Sequence, residues 1–180
     1  MRLLKLLLIC FALTSFASAK DSVELKNAKG ESVGYAVVYN GMHGIRIQYN
    51  LKNLPAGEHA MHIHQTPKCE ADPAKPDDAF KSAGGHFNPE GKKHGTQNPD
   101  GAHAGDLPNF TVGADGKAKG GVDGPHALLF GGKNGIFENG GAALVIHAKA
   151  DDMKSDPAGN AGPRIACGAV EAKKGEKKEK

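Results

Sequence analysis

Two histidines stand one residue apart in the segment Met61-His62-Ile63-His64. If the segment is extended, residues i and i+2 project from the same face. The two imidazoles then leave the backbone about 7 Å apart, close enough to converge on one metal ion. Alone, such a pair is a weak signal, because it is common by chance and half-exposed strand histidines are usually surface residues. Further candidate ligands follow: His86, His94 and His103, then Asp106 three residues beyond, and His147 at the end of an apolar run. A neutral imidazole suits copper and zinc alike, and a carboxylate suits zinc. Spacing does not show that these groups converge; the fold has to bring them together.

The elements available to do so are short strands. Alternating or apolar runs predict strands at residues 23–25, 33–39, 45–51 and 59–64, and after a long gap at 110–112, 117–121, 127–130, 143–147 and 165–170. Asn40-Gly41 and Asp115-Gly116 are tight-turn signals, and Pro55-Ala56-Gly57 is a third turn. Residues 65–108 carry no regular pattern but hold three of the nine histidines. A stretch of that length is either functional or disordered, and bound metal can supply the order that packing does not. Residues 151–163 form a second irregular loop. About eight short strands with two long loops fit an all-β sandwich or flattened barrel. A parallel α/β sheet does not fit, because no helix-length segment lies between strands.

The chain has 180 residues, enough for one domain. Residues 1–19 read as a secretion signal: Arg2 and Lys5 lead, an apolar run spans 6–13, and Ala17-Ser18-Ala19 offers a cleavage site. The run is too short to span a bilayer, so the mature domain is expected to cover 20–172. Loss of Arg2 and Lys5 takes the formal charge from +3 to +1, which gives no support to nucleic-acid binding. Cys10 leaves with the signal. Cys69 and Cys167 remain, a natural disulfide pair in an exported protein and otherwise two free thiols. Residues 173–180, with five lysines and two glutamates, read as a solvated tail.

Six blocks, in order, resemble the copper–zinc superoxide dismutase family. They are Gly57-Glu58-His59-Ala60-Met61-His62-Ile63-His64, Ser82-Ala83-Gly84-Gly85-His86-Phe87-Asn88-Pro89, Lys93-His94-Gly95, His103-Ala104-Gly105-Asp106-Leu107, Leu144-Val145-Ile146-His147-Ala148-Lys149-Ala150-Asp151-Asp152, and Gly159-Asn160-Ala161-Gly162-Pro163-Arg164-Ile165-Ala166-Cys167-Gly168. The resemblance implies an eight-stranded Greek-key β-barrel, an immunoglobulin-like sandwich with two functional loops. It implies one copper ion and one zinc ion per subunit and superoxide anion as substrate. His62, His64, His86 and His147 match the copper ligands; His86, His94, His103 and Asp106 match the zinc ligands, so His86 bridges. Arg164 matches the active-site arginine, and Asp151 the carboxylate that links His62 to His94. Cys69 and Cys167 match the family disulfide. His59 matches a structural histidine, while His43 and His126 match no ligand.

The export signal and the short second loop are similar to the bacterial periplasmic branch. A homodimer is compatible with the resemblance, and the copper-delivery partner is left open. Pro157 and Ala158 stand where many eukaryotic members carry a steering lysine, and residues 70–79 look like an insertion. Two other functions compete. A non-enzymatic metal-binding protein of the same fold is disfavoured because every ligand position and Arg164 are filled. A zinc hydrolase of the β-lactamase type needs an Asp-His pair just after the H-x-H, where Gln65, Thr66 and Pro67 stand instead.

Overall fold

The computed structural model describes residues 22–71, 74 and 79–172. The expected signal at 1–19, the start at Lys20, most of the 70–79 insertion and the tail at 173–180 lie outside the described residues.

Among the described residues nine strands form: β1 Ser22–Asn27, β2 Ser32–Gly41, β3 Gly44–Leu51, β4 Gly57–His59, β5 Met61–His64, β6 Phe110–Val112, β7 Ala118–Gly124, β8 Ala142–His147 and β9 Arg164–Val170. Seven of them make one antiparallel sheet in the order β5-β8-β9-β1-β2-β3-β7, and β4 pairs with β6. First and last strands are neighbours, and β3 pairs with β7 across three intervening strands, as Greek-key connections require. Alternation sets which face is inside. In β3, Ile45, Ile47 and Leu51 are buried while Gln48 and Asn50 are exposed. The core gathers these with Leu25, Val33, Met61, Ile63, Leu144 and Ile146.

Strand β8 is buried along its whole length. Ala142, Leu144 and Ile146 face the main core, whereas Ala143 and Val145 pack with Ala79, Phe80, Ala83 and Cys167 in a second cluster. That is why its sequence is continuously apolar rather than alternating. Burying a side chain the size of Leu144 or Ile146 stabilises by about 1.5–3 kcal/mol. The second cluster is the underside of the long loop, and the Cys69–Cys167 disulfide ties that loop to β9 across 98 residues. In the chain-entropy model such a closure stabilises by up to about 4.7 kcal/mol.

Three expectations need correction. The 59–64 run divides at Ala60, whose N–H donates to the Lys149 carbonyl and whose carbonyl accepts from His147 N–H, both at 2.9 Å. The segment thereby serves two sheets, which makes nine strands of eight. Residues 127–130 are not a strand. The chain folds back on itself there, with Leu128 N–H donating to Asn134 and Ile136 N–H donating to Leu128, and the rings of Phe130 and Phe137 meet at 4.8 Å. Asn40-Gly41 closes β2 rather than forming the turn, which is Met42-His43 between the paired Gly41 and Gly44.

Candidate metal centre

Strand β5 pairs with β8 in the register His62↔Val145 and His64↔Ala143. His62 and His64 therefore leave the outer face, the one covered by the long loop, while Met61 and Ile63 fill the core. His147 ends β8 on that same face. The loop is bound to β5 on either side of Ile63: Phe87 N–H donates to its carbonyl at 2.8 Å, and its own N–H donates to Gly105 at 2.9 Å. A Cβ on Gly105 would collide with the Ile63 carbonyl, so glycine alone lets the backbone approach this closely. These two contacts bring His86 and Asp106 to the histidines of β5.

Two adjoining groups result, each able to hold a metal ion: His62, His64, His86 and His147, and His86, His94, His103 and Asp106, with all donor atoms of a group within 4.8 Å of one another. All are buried. In the first group the imidazole centroids lie 4.1 to 6.4 Å apart. Hydrogen bonds fix which nitrogen points inward. His64 Nδ1–H donates to the Gly84 carbonyl at 2.9 Å and His147 Nδ1–H to Gly162 at 3.1 Å, leaving their Nε2 atoms 3.4 Å apart. His62 Nε2–H donates to Asp151 Oδ2 at 2.8 Å. Its Nδ1, and Nε2 of His86, are buried with no hydrogen-bond partner. Buried polar atoms are almost always satisfied; four inward nitrogens, two of them orphaned, fit a cation.

In the second group, Nδ1 of His86, His94 and His103 lies 2.8, 3.0 and 3.2 Å from Asp106 Oδ1. Asp106 Oδ2 is already committed, accepting main-chain N–H groups of Gly95 and His103 at 2.8 and 3.0 Å. His94 Nε2–H donates to Asp151 Oδ1 at 3.0 Å, so neutral His94 turns a lone pair toward the Asp106 carboxylate. A proton or a metal cation must resolve that contact. A tetrahedral ion with bonds near 2.0 Å sets neighbouring donors about 3.3 Å apart, which matches this cluster. His62, His94 and Asp151 also lie together, but their hydrogen bonds already account for that contact.

Electrostatics divides the two groups. Burial pushes His86 down to about 4 and His147 to about 3, and holds His64 well below the usual imidazole range. These three are neutral at pH 7 and present lone pairs without losing protons. Burial also acts on His94, but hydrogen bonds and charge from Asp106 and Asp151 outweigh it and raise that group to about 9. Burial opposes the ionised form of Asp106, yet hydrogen bonds from His103, His86 and His94 hold its carboxyl well below the ordinary range. Asp151 is lowered in the same way by His62 and His94.

The residues singled out from the sequence are thus together. Asp151 touches both His62 and His94. Arg164 extends Nη1 to the Phe80 carbonyl at 2.7 Å and Nη2 to the Gly84 carbonyl at 2.6 Å, sharing the Gly84 oxygen with His64. His59 sits below, its ring nitrogens 2.8 and 2.9 Å from the carbonyls of His147 and Pro55. His43 and His126 are exposed and belong to neither group. Sequence reasoning missed Asn109, whose amide exchanges two 2.9 Å hydrogen bonds with the Asp151 main chain. It also missed Gly159, where a Cβ would strike the Asp151 carboxylate. Asn109 lies three residues after Asp106, the one hint available; the carbonyls that hold Arg164 leave no sequence signal.

An all-β wall carrying two buried groups that could each hold a metal ion, and that share one histidine, has the form of a dinuclear metalloprotein site. Residues 32–170 match the family described as copper/zinc superoxide dismutase (SODC). The chain is 49% identical over 167 residues to "Superoxide dismutase [Cu-Zn] 1" of Aquifex aeolicus, covering 90% of this chain and 95% of that one. It is 36% identical to the Escherichia coli "Superoxide dismutase [Cu-Zn]", covering 87% and 91%. Among solved structures, a SOD-like protein from Bacillus subtilis superposes with a TM-score of 0.76 at 41% identity, over 83% of this chain and 97% of that chain. This chain belongs to the copper/zinc superoxide dismutase family.

Proposed function

We propose that the protein is a superoxide dismutase carrying one copper and one zinc ion per subunit, converting two superoxide anions and two protons into oxygen and hydrogen peroxide. The observation that carries this reading is the shared imidazole, with Nε2 of His86 orphaned on one side and Nδ1 against Asp106 on the other. His62, His64, His86 and His147 hold copper; His86, His94, His103 and Asp106 hold zinc. Copper supplies one-electron chemistry between Cu(II) and Cu(I), and zinc a fixed charge without redox chemistry.

The chain does the rest. His86 can hold a proton on Nε2 and pass it to the forming peroxide, while its Nδ1 stays in place. Asp151 orients His62 and His94 together, fixing their tautomers. Arg164 presents a fixed cation beside His64, positioned by two carbonyls, and so draws in an anionic substrate. A secreted setting is proposed on the strength of residues 1–19, with a periplasm as the compartment.

Arg164→Ala in the metal-loaded enzyme is expected to lower kcat/KM by at least about tenfold, within the 10- to 1000-fold range of electrostatic steering. It should also flatten the dependence of rate on ionic strength. Arg164→Lys recovers part of the rate, since charge returns without the fork that reaches both carbonyls. Unchanged kinetics in Arg164→Ala would remove the anion-guiding role.

A further inference from the structure

Two loops meet on the Asp106 side of the site, and besides Asp151 a second carboxylate, Asp156, joins them. Asp156 Oδ1 accepts the main-chain N–H of His94 at 2.7 Å, and Oδ2 accepts Lys93 Nζ at 3.0 Å. Nearby, Gln97 N–H donates to the Met153 carbonyl at 3.0 Å. Gly95 presses so closely on Met153 that a Cβ would strike its carbonyl. Asp152 braces the second loop from within, accepting N–H groups of Lys154 and Ser155 at 3.0 and 2.7 Å and Asn160 Nδ2 at 2.8 Å. His94 is thereby fixed at its ring by Asp151 and Asp106 and at its main chain by Asp156. The main-chain contact sets the root from which the imidazole reaches inward.

We propose that Asp156 is a positioning residue of the zinc site, latching the second loop onto the His94 backbone and slowing the escape of zinc. This rests on the two-metal reading above. Hydrogen bonds to an ionised acceptor are roughly twice as strong as neutral ones. The Lys93 pair is exposed, with side-chain exposures of 59% and 39%; pairs of that kind contribute little and are screened by salt. The His94 amide contact is therefore the larger part of the latch. The variants should rank accordingly: Asp156→Ala loses both contacts, Asp156→Asn keeps an acceptor for the amide without its charge, and Lys93→Met loses only the ion pair.

The test uses the enzyme loaded with both metals. Zinc release into excess chromophoric chelator is timed while the copper(II) visible band is recorded, and the melting of each metal-free variant is measured separately. Loss of an outer partner of a metal ligand typically lowers metal affinity 10- to 100-fold. Asp156→Ala is expected to release zinc about 10- to 100-fold faster, Asp156→Asn less so, and Lys93→Met by under about fivefold. The copper band and the metal-free melting of Asp156→Ala should stay close to wild type. Wild-type release kinetics in Asp156→Ala overturn the proposal, as does faster release matched by an equal loss of metal-free stability. Should Asp156→Ala fail to fold, Asp156→Asn decides, and wild-type release there overturns it. A wild-type protein that retains no zinc brings down the two-metal reading as well.

Discussion

Removing both metals with a chelator is expected to lower the melting midpoint by at least about 10 °C. An ion present at a thousand times its Kd stabilises the folded state by about 4 kcal/mol, and each kcal/mol moves Tm by about 2–4 °C in a domain of this size. Two sites make this a lower bound. The metal-free protein should also respond to pH from both sides. His86 and His147 lie at about 4 and about 3 when folded, below the ordinary histidine value near 6.5. The unfolded chain therefore takes up protons first, and stability is lost as pH falls from about 6.5 toward those values. Asp106 and Asp151, depressed by their hydrogen bonds, add to the loss below about pH 4. His94 works in the opposite direction. Raised to about 9, it contributes stability that is complete below pH 6.5 and disappears as pH rises through 9. Zinc in place of that proton should abolish the alkaline loss. Calorimetry of both forms between pH 4 and 10 checks this, and a metal-free protein with a flat alkaline limb would contradict it.

His86→Ala is expected to cut dismutation by about 100-fold or more with copper still bound. Positioned proton transfer is worth about 10²–10⁴ in rate, and three nitrogens of the first group, from His62, His64 and His147, remain to hold the metal. The second group keeps only His94, His103 and Asp106, so zinc should leave more readily too. Parallel assay of metal content and superoxide decay separates the two effects. Full copper loading at the wild-type rate would remove His86 from the proton path.

Much of the site was legible because strand geometry is. The i, i+2 spacing of His62 and His64 put both on one face, and the apolar run before His147 marked a buried strand. The convergence of His86, His94, His103 and Asp106 was not legible from spacing. It depends on hydrogen bonds between the loop main chain and Ile63, and on the close approach that Gly105 permits. Only resemblance to known blocks joined those residues beforehand. Residues 127–130 misled for a related reason. Apolar side chains there pack a folded-back loop, with Phe130 on Phe137, and composition does not distinguish that loop from a strand. The break at Ala60 was hidden as well, because its cause is the pairing of Ala60 with His147 and Lys149, some 87 residues or more away in sequence. Asp156 gave no advance signal and Asn109 only its place three residues after Asp106, since their contacts to the site are with main-chain atoms.

The most direct test of the central claim is superoxide decay catalysed by the protein loaded with one copper and one zinc, beside a His147→Ala variant with the same zinc content. Rapid dismutation that collapses in the variant is the predicted result, because His147 contributes to the first group alone. A fully copper-loaded wild-type protein that leaves superoxide decay at its spontaneous rate would contradict the account, leaving a metal-holding protein on a dismutase fold.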